Sequence, residues 1–157
     1  MAKLEKEPTK FILNRKVGYN YFVGKKFEAG LVLKGTEVKS LRLGNAAIDE
    51  AFVRLDRHGR PVLMNAHIGE YRFGNLSNHD PYRSRYLLLH AHEINELRGA
   101  LERKGESILA LKIFFKQGLA KLELAICKGK KLFDKRRSLK EKATKLETER
   151  ALRRHSL

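Results

Sequence analysis

The stretch from Lys116 to Arg137, KQGLAKLELAICKGKKLFDKRR, joins two kinds of sequence. In its first half, Leu119, Lys121, Glu123 and Ala125 alternate with four apolar residues. This two-residue period predicts a strand with two different faces. The turn pair Gln117-Gly118 precedes it and connects it to an equally strand-like run. We therefore predict a β-hairpin at the end of a folded body.

Beyond this hairpin the sequence becomes strongly basic. The alternation stops at Gly129, and from Lys128 onward Lys and Arg dominate. We predict a body at residues 1–127 and a basic tail at residues 128–157. The whole chain has a formal charge of +16, and the tail, with twelve basic and four acidic residues, contributes +8 of it. Such a charge indicates a polyanionic partner, most often nucleic acid, or a basic protein that its charge keeps soluble.

Composition also bounds the class of protein. A chain of 157 residues suits one domain with an appendage. The single cysteine, Cys127, excludes an internal disulfide and a cysteine-based zinc site, and its place in a strand predicts a small buried hydrophobe. The polar start MAKLEKEPTK does not resemble a signal peptide, and no apolar run reaches membrane-spanning length. We expect a cytoplasmic protein, a monomer, without a membrane partner.

The rest of the body is predicted to consist of short elements. Strands are expected at residues 11–14, 27–34, 48–55, 62–68, 107–116 and 119–126. One short helix is expected to have Thr36 as its N-cap and Glu37 in its first turn, and to end at Gly44. A second helix has apolar residues spaced three and four apart over 94–101 and ends near Gly105. About six short antiparallel strands predict a mainly β barrel or sandwich.

Local sequence suggests two sets of contact residues. The segment 14–22 mixes basic, amide and aromatic side chains, and Tyr19 is placed either to stack on a nucleobase or to join the core. At the corner between the second strand and the first helix, Lys34, Lys39 and Arg42 are either phosphate contacts or solvated charges.

No catalytic site is expected. His79 and Asp80 are adjacent, but adjacency does not orient an imidazole against a carboxylate, and no nucleophile motif accompanies them. The spacing of His90 and His92 could bind a metal on a strand, but no cysteine or carboxylate set lies nearby. Gly-rich nucleotide-binding loops are also missing from the sequence. We predict neither catalytic residues nor a metal or other cofactor.

Several runs in this chain together resemble one family. EAGLVLKGTEVKSLRLG, NAHI, NHDPYRSRYLLLH and KGKKLFDKRR occur in the order and spacing of the SsrA-binding protein (SmpB) family. The resemblance spans nearly the whole chain. It implies an oligonucleotide-binding (OB-like) barrel that binds transfer-messenger RNA and delivers it to stalled ribosomes for trans-translation. It also implies an RNA-binding adaptor with no enzymatic activity.

The resemblance further implies which body residues contact RNA. These positions fall on Asn14, Glu28, Leu88 and Lys121. An amide can donate and accept hydrogen bonds, and a carboxylate can accept from a base amino group or a 2′-hydroxyl. Leu88 would support a base or loop, with a place in the core as the alternative, and Lys121 would offer a cation. The family often has a histidine where this chain has Tyr19, which can stack but cannot act as an imidazolium.

For the tail, the resemblance implies entry into the decoding region and mRNA channel of the small ribosomal subunit. The residues expected there are Gly129, Lys130, Lys131, Asp134, Lys135 and Arg136. The sequence itself predicts a helix that forms on binding, because Ser138 and Glu141 fit a capping box. Its apolar stripe of Leu139, Ala143 and Leu146 is too thin to offset the ordering entropy in free solution. We therefore expect a tail that is disordered when free.

Two other functions remain open from the residues. A general ribosomal RNA-binding or ribosome-associated protein would also combine an OB-like body with excess positive charge. A single-stranded-DNA-binding module would be a basic barrel too, but it would need an aromatic-lined groove. Native RNA capture separates these readings: one tRNA-like RNA supports the first, bulk ribosomal RNA the second, and no RNA the third.

Overall fold

A computed structural model describes residues 11–156 of the chain. The strands are β1 (Ile12–Leu13), β2 (Tyr21–Leu31), β3 (Ala46–Ala47), β4 (Phe52–Leu55), β5 (Pro61–Met64), β6 (His67–Ile68), β7 (Arg85–Leu88), β8 (Glu106–Lys116) and β9 (Leu119–Gly129). The helices are α1 (Val17–Asn20), α2 (Gly35–Arg42), α3 (Ala91–Glu102) and α4 (Leu132–His155). A 3₁₀ turn, Asn75–Ser77, interrupts the long connection before β7.

Six of these strands close into a barrel. The sheet order is β8-β4-β5-β7-β2-β9, and β9 pairs back to β8. Every pairing is antiparallel, and β1 adds to β8 as an edge strand. The predicted mainly β, OB-like antiparallel barrel of about six strands is confirmed. Closure leaves the six strands with few unpaired edges, and it gives the barrel an inner core and an outer, solvated side.

The hairpin of β8 and β9 confirms the prediction made from its alternation. Its register runs from Lys116 opposite Leu119 to Glu106 opposite Lys128, with one irregularity between Ala110 and Lys112. Both turn residues that connect the strands, Gln117 and Gly118, have positive φ angles, as a tight two-residue hairpin turn requires. This long hairpin supplies two of the six barrel walls.

The core fills the barrel and extends under α2 and α3. It combines Phe27, Leu41, Leu63, Leu97 and Leu122, which are nearly inaccessible to solvent, with other aliphatic side chains. A smaller cluster on the other side of the hairpin packs Val17 of α1 against Leu109, Ala125 and Cys127. Cys127 is buried as predicted, and burial raises the pKa of its thiol to about 11. The thiol therefore behaves as a small hydrophobe.

Several predicted strand boundaries were wrong. The strand expected at 27–34 begins earlier and ends at Leu31. The strand expected at 48–55 begins only at Phe52, because a turn occupies residues 48–51 between β3 and β4. The strand expected at 62–68 is split at Asn65, whose φ of 58° breaks the extended chain. The breaks at residues 48–51 and at Asn65 separate β4 and β5 of the barrel from β3 and β6, which pair with each other in a separate two-stranded sheet.

The prediction of Thr36 as the N-cap of the first helix was also wrong. Lys34 occupies that position in extended conformation, and α2 begins at Gly35. The backbone N–H of Lys34 donates to Oε2 of Glu37 at 2.8 Å, so Glu37 still serves the first turn. The hydroxyl of Thr36 instead pairs with Nδ1 of His79 at 2.8 Å. The predicted end of α2 is confirmed by the positive φ angle at Gly44, whereas α3 ends at Glu102 and Gly105, also with positive φ, lies in the turn that follows.

The tail contains one long helix that buries no side chain. The strand β9 continues two residues beyond the predicted end of the body, since Lys128 and Gly129 pair with Phe22 and Tyr21. The predicted capping box was wrong, because α4 already begins at Leu132 and Ser138 lies inside it. The hydroxyl of Ser138 donates to the carbonyl of Asp134, four residues earlier. Residues 1–10 and Leu157, which complete the predicted body and tail, lie outside the described residues.

Candidate nucleic-acid interface

Gly30 lies at the centre of an exposed patch on the barrel. It is paired with Leu88 of β7 on one side and with Lys121 of β9 on the other. Glu28 precedes Gly30 by two residues in β2, so its side chain lies on the same face. A Cβ atom on Gly30 would lie 3.2 Å from Cβ of Leu88, so the glycine lets Leu88 approach closely. The structure thus brings three predicted contact residues together.

The side chain of Leu88 is 65% exposed, which excludes the alternative that it belongs to the core. Its neighbours in β7 alternate with it, because Arg85 and Leu87 are buried whereas Tyr86 is exposed. An exposed aliphatic side chain on the same face as a carboxylate and an ammonium group is suited to a ligand with both apolar and polar parts.

The patch continues across β9 to β8. We call the solvent-facing side of these strands the outer sheet face; it carries Glu28, Lys112, Phe114, Lys121 and Glu123. Sequence reasoning missed three of these residues: Lys112, Phe114 and Glu123. A signal was present, because Glu123 has the same parity as Lys121 along β9, and Phe114 lies directly opposite Lys121 across the hairpin.

Two carboxylates oppose each other on this face. Glu28 and Glu123 are direct cross-strand partners, an arrangement that like charges make unfavourable. Lysines compensate for it: Lys116 lies 3.4 Å from Glu28, while Lys26 and Lys112 lie 3.7 Å and 3.5 Å from Glu123. These ion pairs are solvated and individually weak, so a ligand can exchange with them at little cost.

A second exposed group of residues, all of them basic, lies on α2 and at its N-terminus. Lys34, Lys39 and Arg42 are all exposed, as expected for cations that contact a ligand or solvent. Nζ of Lys39 lies 5.3 Å from the centroid of the Tyr71 ring, and the guanidinium of Arg42 lies 5.2 Å from that of Phe115. These cation–π contacts orient the long side chains while leaving their charges accessible.

Asn14 and Tyr19 lie elsewhere, Asn14 shortly before α1 and Tyr19 within it. The amide nitrogen of Asn14 donates to the carbonyls of Ile48 and Ala110, at 3.1 Å and 2.9 Å. Its amide oxygen accepts from the backbone N–H of Lys16 at 3.2 Å. Both donor hydrogens of Asn14 are therefore committed within the protein. Tyr19 is 42% exposed.

A buried ionic network holds α2 against β7. Arg85 is fully buried; its guanidinium donates to Oε1 of Glu37 at 2.8 Å and to the carbonyls of Ala66 and Pro81. Arg83 donates to both oxygens of Glu37, at 2.6 Å and 3.1 Å. This network fixes the helix that presents the basic corner, and sequence reasoning missed it.

The network also sets the charge states of its members. Burial alone would raise the pKa of Glu37, but hydrogen bonds from Arg83, the Lys34 backbone and Arg85 outweigh it and lower the pKa to about 2. Burial lowers the pKa of Arg85, opposed by its bond and attraction to Glu37. Because an arginine pKa starts so high, both groups stay ionised at neutral pH.

The histidines of the candidate catalytic and metal motifs contact other groups of the protein and form no catalytic or metal-binding arrangement with each other. His79 is buried, donates through Nε2 to the carbonyl of Ile68 at 2.8 Å, and accepts through Nδ1 from Thr36. The carboxylate of Asp80 instead accepts from the backbone N–H of Tyr82. The rings of His90 and His92 stack with their centroids 5.7 Å apart. Within residues 11–156, no three histidines, cysteines or carboxylates are grouped as metal ligands.

The start of the tail is attached to the body through Lys130. Its Nζ donates to the carbonyl of Gly18 at 3.1 Å and to the hydroxyl of Ser138 at 2.8 Å, and it lies 5.0 Å from the Phe22 ring centroid. Of the other predicted tail residues, Gly129 ends β9 and Lys131 is the N-cap of α4. Asp134, Lys135 and Arg136 lie in the first two turns of that helix. The helix is therefore held at its base.

These features define a class of protein: a small, strongly basic antiparallel barrel with a charged, solvated sheet face and an appended basic helix. No helix among the described residues is long and apolar enough to cross a membrane. Comparison with known proteins then identifies the family. The model of the SmpB protein family matches residues 11–154, and the chain belongs to that family, as the resemblance predicted.

Relatives support this membership over nearly the whole chain. The SsrA-binding protein of Geobacter metallireducens is 51% identical over 143 residues, which cover 91% of this chain and 93% of the relative. That of Caldanaerobacter subterraneus subsp. tengcongensis is 46% identical over 154 residues, 98% and 97% of the two chains. A solved structure described as "tmRNA-SmpB: a journey to the center of the bacterial ribosome" is 42% identical with a TM-score of 0.66, covering 78% of this chain and 85% of that one.

Proposed function

We propose that this protein is an adaptor, not an enzyme, that binds transfer-messenger RNA and delivers it to stalled ribosomes for trans-translation. The observation that carries this proposal is family membership across residues 11–154, which include both the outer sheet face and most of the tail. Relatives named SsrA-binding protein, and a solved tmRNA-SmpB structure of the bacterial ribosome, support the RNA and the ribosome as partners. The place of action would be the cytoplasm, and the working form a monomer.

The RNA surface would be centred on Gly30. Lys121 supplies a cation for a phosphate, while Glu28 accepts from a base amino group or a 2′-hydroxyl. Leu88, on the other side of Gly30 from Lys121, supports the apolar surface of a base or sugar. The support for this assignment is their adjacency on an exposed face whose ion pairs are weak.

The basic corner and α1 would extend this surface. Lys34, Lys39 and Arg42 are exposed cations suited to the phosphate backbone. Tyr19 offers an exposed ring for stacking, in place of the histidine frequent in the family. We assign Asn14 an indirect role, because its hydrogen bonds fasten the turn before α1 to Ile48 and Ala110.

The tail would act in the decoding region of the small subunit. Its proposed contact residues are Gly129, Lys130, Lys131, Asp134, Lys135 and Arg136. Their positive charge is attracted to a channel whose walls are RNA phosphates. In α4 no side chain is buried, so the faces of the helix remain available to the ribosome. Lys130 would both contact the ribosome and hold the tail to the body, since its Nζ already donates to Gly18 and Ser138.

One experiment with two readouts tests both surfaces. Fluorescence anisotropy measures binding to the tRNA-like part of transfer-messenger RNA, and a reconstituted stalled-translation reaction measures tag transfer. Glu28→Ala and Lys121→Ala should each weaken RNA binding about tenfold, because each removes a charged hydrogen-bonding group. The triple variant Asp134→Ala, Lys135→Ala, Arg136→Ala should retain RNA binding and lose tagging.

Matched controls are Glu102→Ala and Lys104→Ala, which change exposed charges at the last residue of α3 and two residues beyond it, outside the proposed surfaces. They should leave both readouts unchanged. Preference of the wild-type protein for bulk ribosomal RNA would instead support a general ribosomal RNA-binding protein. Normal tagging by the triple variant would refute the proposed role of the tail.

A further inference from the structure

Beyond Lys121, the outer sheet face ends in two aromatic rings. Phe114 of β8 lies directly opposite Lys121. The pairing of Ile12 with Ile113 places Phe11, one residue earlier, beside Phe114 on the same side of the sheet. Phe11 is 55% exposed, and Phe114 is half-buried. The proposed RNA surface therefore ends in two aromatic rings, and the contacts assigned to Glu28, Leu88 and Lys121 give these rings no role.

A lysine holds the two rings together. Nζ of Lys112 lies 5.5 Å from the ring centroid of Phe11 and 5.3 Å from that of Phe114. The same ammonium group lies 3.5 Å from Glu123. Next to these residues is an open cavity of about 260 Å³, lined by Lys26, Phe27, Glu28, Lys112, Phe114 and Glu123. Aromatic, cationic and acceptor groups thus meet around one cavity.

This combination of groups fits an unpaired nucleobase. A base has a π face that stacks on an aromatic ring, and Arg or Lys adds a cation–π contribution. Its edge carries amino and imino groups from which a carboxylate can accept hydrogen bonds. This role would explain why Glu28 and Glu123 lie on a surface that otherwise attracts phosphate. A second copy of this chain fits less well, because two bodies of a +16 chain repel each other.

We propose that Phe11 and Phe114, with Lys112 between them, form a stacking site for an unpaired base of the bound RNA, and that Glu123 accepts a hydrogen bond from the edge of that base. This inference rests on the proposed RNA-binding function. It adds a site that contributes to RNA affinity through stacking, whereas Lys121 and the α2 corner contribute through attraction to phosphate. Only the attraction to phosphate should weaken as the salt concentration rises.

The test measures affinity for the tRNA-like part of transfer-messenger RNA at several salt concentrations. Phe114→Leu and Phe11→Leu keep an apolar side chain but remove the aromatic ring. Each should weaken binding by about fivefold to a hundredfold, the range that loss of one base–aromatic stack predicts. The slope of log affinity against log salt should not change, because no phosphate contact is lost. Lys121→Ala should reduce that slope by about one.

Phe73→Leu is the matched control, since Phe73 is 70% exposed but lies in the loop before the 3₁₀ turn. It should leave the affinity unchanged, and melting curves should show that all variants are folded. If the wild-type protein does not bind the RNA, the proposed function fails. If it binds and both phenylalanine variants match it at every salt concentration, the stacking site alone is refuted. A dimer that Phe114→Leu dissociates would assign the face to a second copy and also overturn the inference.

Discussion

The barrel buries a continuous apolar core, whereas α4 buries no side chain along its 24 residues. Both regions are basic, and both contain arginines with carboxylate partners. In the barrel, Arg85 and Glu37 are fully buried, while in α4 the pair of Arg137 and Glu141, 3.1 Å apart, is exposed to solvent. Loss of one partner should therefore be costly in the barrel, where it leaves a buried charge with fewer partners, and nearly neutral in α4.

This difference indicates a division of labour. A closed barrel with a packed core presents its surface residues in a fixed geometry, which suits recognition of a folded RNA. A helix without a buried face derives little stability from packing and depends on its partner. We predict that the tail is disordered when free and becomes helical on binding, as a helix without a buried face can. It remains a prediction, and the contacts of Lys130 would limit such disorder to the part beyond the first turns.

The largest expected effect on stability comes from removing one arginine of the barrel. Arg85→Ala leaves the buried carboxylate of Glu37 with Arg83 and the Lys34 backbone N–H, and it removes the guanidinium bonds to the carbonyls of Ala66 and Pro81. It should lower the free energy of unfolding by about 3–5 kcal/mol. Urea unfolding followed by circular dichroism measures this. Arg137→Ala, the matched change in α4 because it removes the exposed partner of Glu141, should cost less than about 0.5 kcal/mol; equal losses would mean that the helix is part of the cooperative core.

A second difference should appear at low pH. The pKa of Glu37 is lowered from 4.5 to about 2 in the folded protein, so its ionised form stabilises the fold. That contribution is fully present above pH 4.5 and is lost as the pH falls towards 2; it amounts to about 3 kcal/mol. Unfolding curves between pH 2 and 6 measure it. Glu37→Gln should be less stable at neutral pH and should lack this part of the pH dependence; an unchanged slope would contradict the assignment.

How much of this was predictable depended on whether the signal was local. The hairpin of β8 and β9 followed from alternation and from Gln117-Gly118, because both lie within one stretch of chain. The break at Asn65 was missed, since asparagine adopts positive φ less regularly than glycine. Thr36 was misassigned because its hydroxyl is bound by His79, 43 residues away. Local propensity cannot show such a partner.

The candidate site was predictable to the same extent. The family resemblance pointed to Glu28, Leu88 and Lys121, but only the sheet register shows that they surround Gly30. For Leu88, the sequence left core and surface open, and its exposure decided the question. The pair of Glu37 and Arg85 was not predictable, because 48 residues separate the two and each looks like an ordinary surface charge in its own segment.

The smallest expected effect on the barrel comes from a drastic change in α4. Lys142→Pro places a proline in the interior of the helix, where it removes a hydrogen bond and costs about 3 kcal/mol of helix stability. Because α4 buries nothing, the melting temperature of the barrel and its affinity for the tRNA-like RNA should not change. Tag transfer should fall, since the proposed function needs the helix on the ribosome. Lys142→Ala, which retains helix propensity, is the control.

The backbone NMR spectrum of the free protein distinguishes the two states of the tail. If residues beyond Ser138 are disordered when free, their amide signals should show little dispersion and no protection, and Lys142→Pro should alter only its neighbours. Dispersed and protected signals would instead show a helix that persists without a partner, as an isolated helix with few packing contacts rarely does. A drop of several degrees in the melting temperature of the barrel would show that α4 and the core unfold together, and the comparison between the two regions would no longer hold.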